Sequence, residues 1–208
     1  YRHAKKACLF FFMKNYQYYV LYKPFGLTTQ FSGEEENLSN LSFSFPKDIY
    51  PVGRLDKDSE GLLILTNDSN LQHRLTDPKF GHHRTYAVQV EGEINVEAIK
   101  LLEQGVEITL PNKKKYKTLP ASAKIIESPN LPVRNPPIRV RKTIPDSWIE
   151  LTLTEGKNRQ VRKMTAKVGF PTLRLIRVKI EQLNLKDFHS EEIKEYSQIE
   201  IYKLLNLS

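Results

Sequence analysis

The chain has 208 residues, enough for one compact domain or two small lobes around a cleft, and 39% of them are hydrophobic. Ten Tyr and ten Phe argue against a disordered, fibrous or collagen-like chain. Thirty-two basic residues against 24 acidic ones give a net charge of +8, which favours nucleic acid or an anionic membrane as partner. A single cysteine excludes an intrachain disulfide and fits a reducing compartment, so we expect a cytoplasmic protein.

The first residues are predicted to lie outside the fold. The longest apolar run, residues 7–13, is far shorter than the roughly 20 residues that a membrane-spanning helix needs, and no small-residue cleavage site follows it. The sequence opens with Tyr1, which makes Met13 a candidate start. We therefore expect residues 1–15 to be a leader or upstream segment, residues 16–208 to form one domain, and no membrane to be involved.

The first half of the chain predicts two strands and a helix. Residues 18–22 are aromatic and branched and precede a Pro-Gly turn, which is typical of a strand. The polar segment 28–47 is expected to be a surface loop. The apolar run 62–66 predicts a buried strand, and Asp68 or Ser69 is placed to cap the helix that follows.

The second half adds strands, a helix and an irregular arm. Residues 85–91 alternate and predict a half-buried strand, and Asn95 caps a predicted helix that Gly105 ends. Residues 122–127 and 148–154 are further strand candidates. The proline-rich, basic stretch between these two strands, residues 129–145, predicts an extended surface arm.

Positive charge is concentrated in two blocks. Residues 111–142 carry nine basic side chains and one acidic one, and residues 156–179 carry eight basic side chains and no acidic one. Two such blocks suit a groove that follows phosphates, provided that the fold brings them together.

The densest cluster of polar side chains is in residues 51–68, where Arg54 and Asp56 precede the buried strand 62–66. An ordinary charged turn is one interpretation. The other is a carboxylate held ionised beside a cation.

A second functional candidate is the segment 156–169, which predicts a helix capped by Asn158 and ended by Gly169. Helical spacing places the apolar residues Val161, Met164 and Val168 on one side. It gathers four basic residues on the other side, namely Arg159, Arg162, Lys163 and Lys167. A solvated basic face is the simple explanation for any one of these residues, but not for the whole acid-free stretch.

The sequence lacks the residue patterns typical of metal sites, nucleotide cofactors and serine nucleophiles. No pair of histidines has helical metal-ligand spacing, so we expect no metal site. Neither a dinucleotide fingerprint nor a phosphate-binding loop is present, so we expect no cofactor. Nothing in the sequence links Ser59 to a histidine as a serine nucleophile would require. Asp56 remains as the candidate catalytic carboxylate.

These segments resemble a known family. Gly53-Arg54-Leu55-Asp56, continued by residues 59–63, resembles the signature of the RsuA-type ribosomal RNA pseudouridine synthases. Residues 85–88 and 155–164 resemble the second and third motifs of that family, in the expected order. Residues 134–139 and 169–177 are similar to a branch that acts on large-subunit ribosomal RNA. The resemblance covers about residues 18–180.

The resemblance implies an enzyme that isomerises uridine in RNA without a cofactor. Asp56 would be the catalytic carboxylate and Arg162 would pair with it. Tyr86 would stack on the extruded base, and Leu173 would pack against the uracil. The residue types suit this task, because a base inside a helix must be flipped out before it can react, and an aromatic ring replaces part of the lost stacking. Without the resemblance, a core strand residue would be the preferred interpretation of Tyr86.

The resemblance also implies an α+β fold with a mixed, mainly antiparallel sheet, flanking helices and a central cleft, which the strand-rich sequence permits. The small RNA-binding domain that precedes the catalytic part in many members is expected to be absent, so the catalytic body itself would bind RNA. We expect contacts to the RNA from Arg54, Arg134, Arg139, Arg141, Lys157, Asn158, Arg159, Lys163 and Lys167.

The expected partner is the large-subunit ribosomal RNA or its precursor, bound by a monomer. Two alternatives stay open. One is a non-catalytic ribosomal-RNA-binding protein that uses the same basic surface, and the other is the same isomerase acting on transfer RNA or small-subunit ribosomal RNA. The intact motif around Asp56 argues against the first, because a pure binding protein has no use for that carboxylate.

Overall fold

The computed structural model describes residues 15–138 and 144–207. Residues 1–14 of the expected leader, and Arg139 and Arg141 of the expected arm, lie outside these ranges. The helices are α1 (Ser69–Thr76), α2 (Val96–Gln104), α3 (Gln160–Lys167) and α4 (Gln198–Leu204). The strands are β1 (Tyr18–Lys23), β2 (Tyr50–Pro51), β3 (Glu60–Thr66), β4 (Arg84–Glu91), β5 (Glu107–Thr109), β6 (Lys115–Lys117), β7 (Ser122–Ile126), β8 (Asp146–Leu153), β9 (Thr172–Ile180), β10 (Leu183–Asn184) and β11 (Ile193–Tyr196).

Most of the strands form one large sheet in the order β11-β1-β3-β9-β4-β8-β7, with β2 beside β3 and β10 beside β9. Within the described residues, β3 and β9 form its parallel pair, and the other pairs are antiparallel. Strands β5 and β6 form a separate hairpin. The expected α+β fold with a mixed, mainly antiparallel sheet is confirmed.

Apolar residues cover both faces of the sheet. On β4, Ala87 belongs to one core cluster, whereas its neighbour Val88 belongs to another. A third cluster packs the segment 27–55 against β1 and β3. Every residue of β3 is buried, which explains its continuous apolar sequence.

Strand β4 was predicted to be half-buried, but it is an interior strand with buried residues on both faces. It lies between β8 and β9, and Thr85 and Ala87 are buried as well as Val88 and Val90. The central position of β4 is decided by pairing partners that lie more than 50 residues away.

Two helix starts follow the sequence closely. The Asp68 carboxylate accepts hydrogen bonds from the backbone of α1, and the Asn95 side chain accepts one from the backbone of α2. Gly105 ends α2 with a φ of +76°, where its missing side chain avoids the nearby Thr118 backbone oxygen.

Helix α3 begins later than predicted. Its N-cap is Arg159, whose left-handed φ of +51° and ψ of +36° place it outside the helix. The Asn158 side chain accepts a hydrogen bond from Lys163 instead of capping the helix. Gln160 accepts the Lys157 backbone N–H and closes the turn before the helix.

Other parts of the fold were not visible in the sequence pattern. The expected surface loop 28–47 contains Leu38, which is completely buried in the third cluster. Strand β9 was not predicted, although it is the longest strand described. It carries buried arginines at positions 174 and 177, and these charges break the apolar pattern of an interior strand.

Gly61 permits the close contact between β3 and β9. It pairs with Arg177 and has a φ of +107°, and a Cβ atom there would stand 2.3 Å from the Arg177 backbone oxygen. A larger residue would push the two strands apart. This junction matters for function because Asp56 lies just before β3 and Arg177 lies on β9.

No helix among the described residues is long and apolar enough to cross a bilayer. In the same residues, no group of three or more His, Cys, Asp or Glu side chains could hold a metal ion.

Candidate active site

A cleft of about 510 Å³ opens where the turn before β3, the start of α3 and strands β4 and β9 meet. Its walls include Asp56, Tyr86 and the basic residues Arg54, Lys157 and Arg159. Apolar side chains from all three core clusters also reach it, among them Leu55, Ile64 and Leu153. Apolar walls with a few converging polar groups are typical of a ligand site.

The turn that carries Asp56 is held at several points. The Asp56 backbone oxygen accepts the Ser59 N–H at 3.0 Å, and the Lys57 oxygen accepts the Gly26 N–H at 2.8 Å. The Thr29 hydroxyl donates to the Leu55 oxygen. The Asp56 carboxylate itself stays 37% exposed to the cleft. The backbone is therefore anchored while the carboxylate is left accessible.

Two arginines, one just before α3 and one within it, bind this turn at Asp58. Arg159 donates two parallel hydrogen bonds to the Asp58 carboxylate, at 3.0 and 2.7 Å. Nη2 of Arg162 donates to the Asp58 backbone oxygen at 2.6 Å, and its Nε lies 3.3 Å from Oδ2 of Asp58. Burial raises the pKa of Asp58, but Arg159 and Arg162 outweigh that effect and hold the pKa below its usual value.

The expected ion pair between Arg162 and Asp56 is therefore wrong. Arg162 is mostly buried and its guanidinium is used at Asp58. Arg159 approaches Asp56 instead, with 3.6 Å between its Nη1 and Oδ2 of Asp56. Arg159 precedes α3 in a left-handed conformation. It is therefore Arg159, and not Arg162 one helical turn later, that reaches the Asp56 carboxylate.

Strands β4 and β9 form the floor of the cleft. Tyr86 pairs with Arg177 across the antiparallel ladder, and Val88 pairs with Leu175. Of these residues, Tyr86, Leu175 and Arg177 line the cleft. Cross-strand partners lie about 5 Å apart on one face, so these side chains stand next to one another.

Leu173, expected to pack against the uracil, is not among the residues that line the cleft, whereas Leu175 is. The register of β9 against β4 shifts between Gln89 and Val90, so that Leu173 has no direct partner on β4. This β-bulge removes Leu173 from the regular alternation of β9. The bulge depends on strand pairing, which the sequence of β9 does not reveal.

The expected RNA ligands fall into three groups. Arg54, Lys157, Asn158 and Arg159 line the cleft. Lys163 and Lys167 belong to α3 next to it, and Lys167 is exposed. Arg139 and Arg141 lie outside the described residues.

Arg134 has a different setting. Its guanidinium stacks on Phe25 at 4.2 Å from the ring centre and donates to the oxygens of Pro136 and Pro137. It lines a second cleft, of about 470 Å³, rather than the cleft of Asp56. The oxygen of Pro132 in the same arm accepts a hydrogen bond from Arg174. Arg134 therefore helps to hold the arm against the body.

Glu155 connects the site to a basic hairpin, and sequence reasoning missed its role. It is buried and accepts hydrogen bonds from the Tyr116 hydroxyl, the Leu119 N–H and the Gln160 amide. Nζ of Lys157 lies 4.8 Å from the centre of the Tyr116 ring. Tyr116 of the β5–β6 hairpin therefore contacts a lysine of the cleft wall. The signal was present, because Glu155 opens the third motif.

Comparison with known proteins decides the family. A family model described as RNA pseudouridylate synthase matches residues 17–167. The chain belongs to this family. It is therefore an RNA pseudouridine synthase, and the resemblance recognised in its motifs is confirmed.

Several named pseudouridine synthases are similar to this synthase in sequence. "Ribosomal large subunit pseudouridine synthase E" of Xanthomonas axonopodis pv. citri is 49% identical over 164 residues, which are 77% of this chain and 84% of the relative. The protein of the same name from Vibrio vulnificus is 46% identical over 86% of this chain and 74% of its own length. "Ribosomal large subunit pseudouridine synthase B" of Bacillus subtilis is 33% identical, over 92% of this chain and 72% of the relative.

A solved pseudouridylate synthase structure superposes on this synthase with a TM-score of 0.74 and 28% identity, over 93% of this chain and 75% of the other. The structure titled human RNA pseudouridylate synthase domain containing 1 superposes with a TM-score of 0.56 and 13% identity, over 92% of each chain. The second likeness concerns the fold alone.

Proposed function

We propose that this synthase converts a uridine of large-subunit ribosomal RNA to pseudouridine, with Asp56 as the catalytic carboxylate. The RNA class rests on the relatives named for the large subunit, four of which are 42% to 49% identical to this chain. The observation that carries the assignment of Asp56 is its accessible carboxylate in the cleft, on a turn clamped through Asp58.

The cleft has the parts that a flipped nucleotide requires. Leaving the helix costs the base its stacking, a few kcal/mol. In this cleft the Tyr86 ring would replace part of that stacking and Leu175 would cover the uracil. Arg54, Lys157 and Arg159 would neutralise the phosphates around the target. Because these three side chains stand at the walls, they would position the backbone while the base enters more deeply.

Asp56 would act on the ribose of the bound uridine, either by attack at C1′ or by removal of a ribose proton. In both cases the C1′–N1 bond breaks, the uracil turns, and a C1′–C5 bond forms. On the first route, the Asp56–C1′ bond that forms as N1 leaves is broken when C5 attacks C1′. On the second route, Asp56 returns the proton to the ribose as the C1′–C5 bond forms. The proton on C5 is lost and N1 gains one, so that the product is an isomer of the substrate. Arg159, 3.6 Å from the carboxylate, would hold Asp56 in orientation through this sequence.

The test is pseudouridine formation in ribosomal RNA. Uridine carrying tritium at C5 releases it to water when C5 becomes bonded to C1′, so tritium release from labelled large-subunit transcript measures the reaction. Wild-type protein should release tritium and Asp56→Asn should not, while both bind the RNA with similar affinity because the phosphate contacts remain. Turnover by purified Asp56→Asn, free of wild-type protein, would contradict the assignment.

Mapping pseudouridines in the host with and without the gene identifies the RNA class. Loss of one position in the large-subunit RNA is the expected result. Loss confined to transfer RNA or small-subunit RNA would overturn the substrate part of the proposal while leaving the chemistry intact.

A further inference from the structure

The cleft contains a buried cation that the mechanism above does not use. Arg177 is only 5% exposed, pairs with Tyr86 across the ladder and lines the cleft. Its Nε donates to the Leu62 backbone oxygen at 2.8 Å. Its Nη2 is buried and has no hydrogen-bond partner among the described residues.

No carboxylate in the described part of the chain forms an ion pair with Arg177. Burial lowers the pKa of its guanidinium, and the interaction with the Tyr86 side chain offsets only part of that effect. Arg174, three residues earlier on the same strand, shows the contrast. It is 7% exposed, but Glu60 receives two of its hydrogen bonds, at 2.8 and 2.7 Å.

A buried charge without a counter-charge is costly to a fold, whereas a paired one is compensated. The charge of Arg174 is therefore compensated within the described fold by Glu60, whereas no carboxylate there compensates that of Arg177. Ser59, which also lines the cleft, resembles Arg177 in this respect. Its Oγ is buried and, like Nη2 of Arg177, has no hydrogen-bond partner among the described residues. Both residues line the same cleft, and a ligand bound there would supply the partners that these polar atoms lack.

We propose that Nη2 of Arg177 donates a hydrogen bond to a carbonyl oxygen of the flipped uracil. This inference rests on the proposed function and assigns a substrate contact within it. The position of Arg177 favours the base over a phosphate. A phosphate would have to lose its water to reach a residue that is only 5% exposed, and Arg54 and Lys157 offer it more accessible cations.

The contact gains strength during the reaction. When the C1′–N1 bond breaks, its electron pair stays with the uracil, and the negative charge spreads over the ring to O2 and O4. A guanidinium donor fixed at one of these oxygens stabilises the separated base more than the neutral uridine. Arg177 transfers no proton. It holds the charge until C5 has bonded to C1′ and the ring is neutral again.

The experiment compares wild-type protein with Arg177→Met in single-turnover tritium release at saturating large-subunit RNA. Loss of one such donor should lower the rate constant by about 100-fold or more, while the affinity for RNA changes by less than about threefold. The urea midpoint of Arg177→Met should equal or exceed that of the wild type, since methionine fills the space without an unpaired charge. A purely structural arginine would instead lower that midpoint.

Two further variants make the result decisive. Arg84→Met removes another guanidinium of the cleft wall, one that already donates to the Leu75 and His82 oxygens, and should reduce the rate constant far less. Arg177→Lys keeps the positive charge but not the planar donor geometry of the guanidinium. Its single-turnover rate constant should lie between those of the wild type and Arg177→Met.

The inference is overturned if Arg177→Met reacts at the wild-type rate, or if it loses stability together with activity. Should Arg177→Met not fold, a folded Arg177→Lys with the wild-type rate overturns it and a slower one supports it. A wild-type protein that releases no tritium would instead refute the proposed function itself.

Discussion

Asp56 and Asp58 are two residues apart, and the structure predicts opposite consequences for Asp56→Asn and Asp58→Asn. Among the described residues, Asp56 forms one ion pair, at 3.6 Å, between groups that are 42% and 37% exposed. Solvent screens such a pair, so its loss should change the free energy of unfolding by less than about 0.5 kcal/mol. Asp56→Asn should therefore be as stable as the wild type and inactive.

Asp58→Asn removes the ion pairs that Asp58 forms with Arg159 and Arg162. The exposed pair with Arg159 contributes about 0.5 to 1 kcal/mol. Arg162, only 14% exposed, keeps the Asp58 backbone oxygen but loses the ion pair with the carboxylate 3.3 Å from its Nε. Leaving this largely buried cation without its counter-charge adds about 1 to 2 kcal/mol, between the values for exposed and for buried pairs. The total of about 2 kcal/mol corresponds to a melting temperature lower by roughly 4 to 8 °C in a chain of this size.

The rate should fall as well, because the turn that carries Asp56 is no longer fixed to α3. A displacement of about 1 Å is enough for a 100-fold loss. Thermal unfolding and single-turnover tritium release measure the two effects. Glu150→Gln is the matched control, since it breaks a 2.9 Å ion pair with Lys124 on the surface and should change neither quantity.

The reasoning is refuted if Asp58→Asn melts and reacts like the wild type, or if Asp56→Asn loses several degrees of melting temperature. Either result would mean that the structural and chemical roles are not divided between the two aspartates in this way.

Three further predictions concern other parts of the molecule. Lys163→Met and Lys167→Met should each weaken RNA binding, lower the slope of log affinity against log salt by about 0.7 to 0.9 per lost phosphate contact, and leave the rate at saturating RNA nearly unchanged. Gly61→Ala should destabilise the protein by roughly 3 kcal/mol or more in urea unfolding, because its Cβ would stand 2.3 Å from a backbone oxygen of β9 at a φ of +107°. Burial lowers the pKa of Lys23 from 10.5 to about 7. Between these values the unfolded chain binds the proton and the native protein does not, so wild-type stability relative to Lys23→Met should rise by about 1.4 kcal/mol per pH unit above pH 7.

Contrary results are equally specific. An unchanged salt slope in both lysine variants would remove α3 from the RNA-binding surface. A stable Gly61→Ala would mean that β3 and β9 can separate without cost. A stability difference between wild type and Lys23→Met that is flat from pH 7 to pH 9 would show that the ammonium is compensated in the native state, for instance by its hydrogen bonds to the Pro24 and Leu27 oxygens.

Local signals in the sequence determined much of this protein. The Asp68 and Asn95 caps, the Gly105 stop and the apolar run of β3 each depend on neighbours within a few residues, and each appears in the structure where the sequence placed it. The family motif around Asp56 was also recognisable, because its residues are contiguous.

Long-range pairing decided the rest. The partner of Arg162 depends on how α3 packs against the turn before β3, which lies more than 100 residues earlier in the chain. Asp56 and Asp58 are close together on that turn, so a small shift in the packing decides which of them an arginine of α3 contacts. Leu175 lines the cleft and Leu173 does not, and the register shift of β9 against β4 beside Leu173 depends on strand pairing. Arg177 becomes significant only when β9 is seen to lie between β3 and β4. Its burial, and the absence of a partner for its Nη2 among the described residues, are properties of the assembled sheet and not of any segment.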